Sequence, residues 1–374
     1  MNAFTFTTDA KTFTAAVAWT AKHLPTRPHI PVIAGLLISQ HDGITTLAAF
    51  DYDTSATTTL NTDGSGNGQA LVSGRLLAEL AKTFPDKPVT VTVDTTARIT
   101  CGSLKLTLPL MTVEDYPTLP ATPPTVGEID ADRFADLITR VGLAADTTGA
   151  SSIQALRGIH LAFTADTVEA LGTDRYRAAR GHTDWTGKVD SEVTALVPAA
   201  VLIDTAKTLH GAGQATVGCD NHLFSITAGG RTVTSRLMAD PFPVQMRTAF
   251  GGRGEQPVTM WAADLSAALK RADLVRADKK AAVVLHITGD GLTVTAKGQE
   301  IAAETGEHID CAYFGDPITV RVNPIYLADA LHGLASKRAE LSISHPHRPI
   351  NVTSPDDPQL TYQHTVVPIR NLSA

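Results

Sequence analysis

The stretch VSGRLLAELAKTF, Val72–Phe84, recurs twice in altered form, as VPAAVLIDTAKTL at Val197–Leu209 and as VNPIYLADALHGL at Val322–Leu334. The copies start at residues 72, 197 and 322, so one 125-residue step occurs twice. Leu77, Leu202 and Leu327 share a position, as do Glu79, Asp204 and Asp329, and Phe84, Leu209 and Leu334. Apolar residues at helical spacing, preceded by Ser73, Pro198 or Asn323-Pro324, predict an amphipathic helix of about three turns in each copy. A second helix opens each unit: DAKTFTAAVAWTAKHL from Asp9, DADRFADLITRVGLAA from Asp130 and WAADLSAALKRADLV from Trp261. Between the helices the pattern changes to β-branched runs of period two, among them VTVTVD, GITTLAAF and AVVLHITGDGLTVTA. The expected fold is α+β, one unit of helix, strands, helix and strands used three times.

Proline-rich acidic segments mark the boundaries. TVEDYPTLPATPPTVGE follows Leu110-Met111, and ADPFPVQMRTAFGGRGEQPV follows Leu237-Met238. The expected domains are residues 1–122, 127–249 and 257–374. A 374-residue chain with 43% hydrophobic and 18% charged residues suits a soluble protein of two or three domains. No signal peptide or membrane-length apolar run is visible, so a cytoplasmic location is expected. Cys101, Cys219 and Cys311 stand alone, without metal-ligand spacing, and are expected as reduced thiols. The net charge of −7 argues against an all-over phosphate-binding surface but permits a local basic one.

Reactive constellations are absent from the sequence. GGRG at Gly251–Gly254 lacks the Lys-Ser/Thr of a phosphate loop and reads as linker. His345 and His347 flank Pro346 and read as a turn rather than a metal edge. No H-E-x-x-H or G-x-S-x-G occurs. The chain is therefore expected to be a scaffold or binding protein without cofactor or metal, and not an enzyme.

Five segments carry a family resemblance: LRGIHL from Leu156, TDRYRAA from Thr173, DPFPVQMR from Asp240, VNPIYLADAL from Val322 and HTVVPIR from His364. In this order and at these separations the chain resembles the bacterial DNA polymerase sliding clamp, the beta subunit of DNA polymerase III. The resemblance implies three repeated DNA-clamp domains, each with two helices packed on antiparallel sheets, closing as a head-to-tail dimeric ring around double-stranded DNA. Such a ring slides without reading sequence and tethers the replicative polymerase. Clamp loader and repair proteins bind it through short linear peptides.

Basic residues on the predicted helices fit a phosphate-facing surface: Arg75, Lys82, Arg133, Arg140, Lys207, Lys270 and Arg271, joined by Arg27, which matches a DNA-contacting loop position of the family. A solvated helix face is the alternative for each. The resemblance places the homodimer interface at Leu106 and Leu108, on one face of LKLTL, against Leu274 and Val275; ordinary core is again the alternative. It also implies a partner-peptide pocket built from Leu156, Thr173, Arg175, Tyr176, Arg177, Ala178, Pro243, Arg247, Thr248, Asn323, Tyr326, Val367, Pro368, Ile369 and Arg370. Apolar walls would bury the anchors of a peptide while the arginines and Asn323 fix its polar groups.

The pocket departs from the family pattern. Ala178 stands in place of leucine, Thr248 in place of an apolar residue, FPVQ lacks the usual acidic and aromatic followers, Val367 and Ile369 replace bulkier residues, and NLSA extends the end. A diverged second-copy clamp that tolerates a clamp-targeting inhibitor is one alternative reading. A non-ring peptide-binding protein is another.

Overall fold

The computed structural model describes residues 3–276, 278, 281–298 and 304–370. Two compact units form, Met1–Glu128 with Gly211–Leu237, and Ile129–His210 with Met238–Ala374. The NLSA extension lies outside the described residues.

In the first unit, helices α1 (Ala10–Ala21) and α2 (Gly74–Ala81) pack on each other and on two antiparallel sheets. One sheet runs through strands 63–65, 4–8, 89–93, 97–101 and 104–108, which leaves Leu104–Leu108 on an edge. The other contains strands 214–219, 223–228, 231–236, 54–60, 44–50, 35–41 and 68–73 in that order. Its pairing of Arg231 with Thr58 joins a strand of the second sequence repeat to one of the first. Apolar residues of both helices and both sheets, including Phe6, Phe13, Leu36, Leu77 and Ile99, form one core. Asp9 begins α1 by accepting the Thr12 amide at 2.8 Å, which satisfies a backbone donor that the helix leaves unpaired.

The second unit holds α3 (Ala131–Gly142), α4 (Ala199–Leu209), α5 (Ala262–Val275) and α6 (Pro324–His332). All six α-helices among the described residues lie within the segments that the repeat picks out. An eight-stranded sheet runs 193–198, 158–163, 167–173, 177–184, 362–366, 350–353, 338–342 and 258–261, and a four-stranded sheet runs 304–309, 291–297, 283–288 and 318–322. In the larger sheet Arg177 lies opposite Val366 and Gly181 opposite Tyr362, so repeats two and three share one hydrogen-bonded surface. Sheets that cross repeat boundaries explain why three sequence repeats give two compact units. Gly172 lets α3 approach this sheet, because a Cβ there would sit 2.8 Å from the Val141 carbonyl oxygen.

Leu77, Leu202 and Leu327 are 0%, 1% and 0% exposed, so the shared position marks the buried stripe of each repeated helix. Leu202→Ala is expected to destabilise the protein by about 2–5 kcal/mol, through lost burial and the cavity left behind. Urea unfolding checks this, with Leu77→Ala expected to cost a similar amount.

Candidate functional site

The strand 167–173 ends in a tight turn that presents the arginines of TDRYR. Thr173 Oγ1 donates to the Arg177 carbonyl at 2.8 Å and accepts the Arg175 amide at 3.1 Å. Asp174 Oδ1 accepts the amides of Tyr176 at 2.9 Å and Arg177 at 3.0 Å. Short polar side chains thus close the turn locally. The turn forces Arg175 to φ +81°, a left-handed conformation unusual outside glycine and asparagine. Arg175 and Tyr176 are thereby exposed, while Arg177 is turned inward with only 13% of its side chain accessible.

Arg177 is held on three sides. Its Nε donates to Asp174 Oδ2 at 2.9 Å, its Nη1 donates to Asp329 Oδ2 on α6, and its guanidinium lies 4.5 Å from the centre of the Tyr326 ring. Tyr326 also stacks near Tyr176, with ring centres 6.4 Å apart. Burial, then the charge of Asp174, raise the Tyr326 phenol above its ordinary pKa. Asn323 starts α6 by accepting the Ile325 amide at 3.0 Å. The C-terminal segment lies alongside: the Val367 amide donates to the Tyr176 carbonyl and that of Ile369 to the Arg321 carbonyl, each at 2.8 Å. Val367 and Ile369 are half-buried, Pro368 is buried and Arg370 is exposed.

Leu156, Thr173 and Ala178 are buried, with Thr173 paired opposite Ala178 in the sheet. The linker reaches the same sheet further along. Phe242 stacks on His160 with ring centres 5.3 Å apart and joins Ala155, Leu171 and Leu196 in a small apolar cluster. Pro243 precedes a short helical turn, Val244–Ala249. There Arg247 forms an ion pair with Glu169 at 2.7 Å, four residues up the strand from Thr173, or about 13 Å of extended chain. The Thr248 hydroxyl donates to the Gln245 carbonyl at 2.7 Å, so the polar substitution satisfies itself within its turn. The structure therefore joins Tyr176, Arg177, Tyr326, Val367 and Ile369 around α6, and anchors Arg247 at Glu169.

Of the basic residues expected on the helices, Arg75, Lys82, Arg133, Lys207, Lys270 and Arg271 are exposed, and Arg140 is half-buried. Arg75 donates to the Pro25 carbonyl at 2.8 Å and so braces the loop that carries exposed Arg27. Lys82 pairs with Glu79, Lys207 with Asp204, Arg140 with Asp136 and Arg271 with Glu307. Exposed pairs of this kind contribute about 0–1 kcal/mol each, so a phosphate can replace the carboxylate at little cost. Leu274 is 87% exposed and Val275 half-buried, whereas Leu108 is buried and Leu106 packs partly against the core. Sequence reasoning missed the strand Glu304–Ile309, which forms the edge of the four-stranded sheet.

The remaining candidates have structural employment. Arg253 of GGRG donates to the carbonyls of Ser354 and Asp357, each at 2.8 Å, and Gly254 donates to Ser342 Oγ at 2.9 Å. The His347 amide donates to His345 Nδ1 at 3.2 Å inside a turn. Among the described residues no three His, Cys, Asp or Glu side chains gather as a metal site. Cys101 and Cys219 are buried free thiols, and Cys311 is a partly buried one.

Three family models match the chain in succession: DNA polymerase III beta subunit, N-terminal domain, over residues 4–120; central domain over 128–244; and C-terminal domain over 249–370. The chain belongs to the DNA polymerase III beta subunit family. It is 32% identical to the beta sliding clamp of Streptomyces coelicolor over 366 residues, covering 95% of this chain and 96% of that one. It is 29% identical to the "beta sliding clamp homolog GriR" of Streptomyces muensis over 349 residues, covering 91% of each. The sliding clamp of Pseudomonas aeruginosa, solved bound to griselimycin, shares the fold with a TM-score of 0.91 at 20% identity, over 98% of this chain and all of that one.

Behind Arg177, the buried Tyr362 hydroxyl donates to the Arg140 carbonyl at 3.2 Å and accepts from His364 Nδ1 at 2.9 Å. Burial, then the nearby Arg177 charge, push the His364 pKa down to about 3. Below pH ~6.5 an unfolded histidine binds a proton that native His364 refuses, so its contribution to stability falls as pH drops from ~6.5 toward 3. His160 is shifted in the same direction, chiefly by burial. The slope that His364 contributes is expected to approach about 1.4 kcal/mol per pH unit. His364→Gln should flatten it, as read from urea midpoints at several pH values between ~5.5 and ~7.5.

Proposed function

We infer that the chain is a processivity factor of DNA replication, a clamp that encircles double-stranded DNA and tethers partner proteins without chemistry of its own. The observation that carries this reading is the match of all three clamp domain models in succession along one chain. The proposed domains are residues 1–122, 127–249 and 257–374, and the protein acts in the cytoplasm. Exposed edge strands 104–108 and 304–309 suit head-to-tail joining of two subunits, with Leu106, Leu108, Leu274 and Val275 beside the joint. Arg27, Arg75, Lys82, Arg133, Arg140, Lys207, Lys270 and Arg271 supply sequence-independent attraction to phosphates.

Polymerase, loader and repair proteins dock by short peptides on the surface around Tyr176, Arg177 and Tyr326, with Leu156, Thr173, Ala178, Pro243, Arg247 and Thr248 on the strand side. Arg175, Asn323, Val367, Pro368, Ile369 and Arg370 complete the pocket. In solution the protein should have twice the 39.5 kDa chain mass, and a loaded ring should stay on closed circular DNA and run off once the DNA is linearised. A monomer that dissociates equally from both forms would overturn the ring reading. A labelled peptide carrying glutamine and leucine-phenylalanine anchors should bind saturably, as followed by fluorescence anisotropy, and Tyr326→Ala should weaken it about ten-fold or more.

A second reading, a diverged copy that tolerates a clamp-directed inhibitor, is favoured by the small buried side chain of Ala178 on the pocket strand. Griselimycin is expected to bind this chain weakly, and Ala178→Leu to tighten it about ten-fold or more, since the added carbons restore an apolar wall. Calorimetric titration of both proteins decides it, and tight binding to the unaltered chain removes the reading.

A further inference from the structure

We propose that Asp329 is a positioning residue of the peptide pocket: by occupying Arg177 it sets the charge preference of the site, leaving Arg175 as the cation that meets an acidic partner. The inference rests on the pocket reading given under Proposed function. Its starting point is the repeat. In the first copy Glu79 Oε1 holds Lys82 Nζ at 2.6 Å, and in the second Asp204 Oδ1 holds Lys207 Nζ at 2.7 Å, each three residues on along its own helix. The third copy carries His332 at the lysine position, and Asp329 turns instead to Arg177, 152 residues away in sequence.

The exchange changes the chemistry. The two lysine pairs are exposed, whereas the Arg177, Asp174 and Asp329 side chains are only 13%, 14% and 33% accessible. One guanidinium between two carboxylates leaves a formal charge of −1, screened less than at an open surface. Arginine has five N–H donors, so those not spent on Asp174 and Asp329 can still bond a neutral peptide carbonyl. An incoming carboxylate, however, meets two like charges already in place. Arg175 differs in each respect: it is exposed, it makes no ion pair among the described residues, and its guanidinium carbon lies 5.9 Å from the centre of the Tyr176 ring. The two arginines of TDRYR therefore divide the work, Arg177 fixing Tyr326 and α6 against the turn while Arg175 faces the ligand.

The test uses two labelled peptides with the same glutamine and leucine-phenylalanine anchors, one ending in a carboxylate and the other in a carboxamide, titrated into the dimer. Asp329→Asn keeps the shape and frees the Arg177 charge, so the preference for the acid over the amide should rise about five-fold or more. Asp329→Glu should return the ratio toward that of the unaltered protein, and Arg175→Ala should lower it. Asp174→Asn, which retains the oxygen that closes the turn, should shift the ratio in the same direction as Asp329→Asn and serves if that variant folds poorly. A general loosening of the pocket would weaken both peptides alike and leave the ratio unmoved; an unmoved ratio in both asparagine variants overturns the proposal. Failure of the unaltered protein to bind either peptide overturns the pocket reading, and this inference with it.

Discussion

The pairing of strand 177–184 with strand 362–366 is the constraint on which the second unit depends. Antiparallel register has a side-chain period of two, and a slip of one residue would turn every side chain to the opposite face. With Arg177 opposite Val366, the next residue outward on the C-terminal strand, Val367, meets the Tyr176 carbonyl, and His364 falls opposite Ala179 inside the sheet. The same register gives Arg177 its place between the turn and α6. Core, junction and candidate pocket thus follow from one ladder of backbone hydrogen bonds.

Polar geometry, rather than apolar area, fixes that junction. Arg177 bridges Asp174 and Asp329, and Tyr362 links the Arg140 carbonyl to His364. Burying such groups carries a desolvation penalty that can cancel their attraction, so they add little to net stability, yet removing one partner leaves another uncompensated. Directional bonds accept one arrangement where grease would tolerate several. The pocket proposed there, which would present several side chains to an exchanging peptide, benefits from that definition, and the depressed pKa of His364 records the burial of the junction.

Much of the fold was legible because helices at a fixed 125-residue step leave an apolar stripe that needs no tertiary information; Leu77, Leu202 and Leu327 are buried as their spacing predicts. The sharing of sheets between repeats was not legible, since strand partners such as 231–236 with 54–60 are chosen by register and edge shape across long separations. At the site, TDRYR drew notice by its charge density, but composition could not say which arginine turns inward. That choice depends on the left-handed backbone at Arg175 and on a carboxylate 152 residues from Arg177. Nor could it foresee that Arg247 would be taken up by Glu169.

The proposed function asks an acidic chain to offer exposed cations to DNA. A net charge of −7 would repel DNA if spread evenly, yet Lys82, Lys207 and Arg271 each sit beside a carboxylate at an exposed position. Pairs this weak hold their cations in place without consuming them: a phosphate that displaces the carboxylate gives up about 0–1 kcal/mol and gains the release of its own counterions. Arg177 represents the opposite case, a cation whose two partners are too sheltered to yield easily. Exposure, more than the count of charges, therefore separates the arginines and lysines that can serve a polyanion from a cation such as Arg177, which ties the turn to α6.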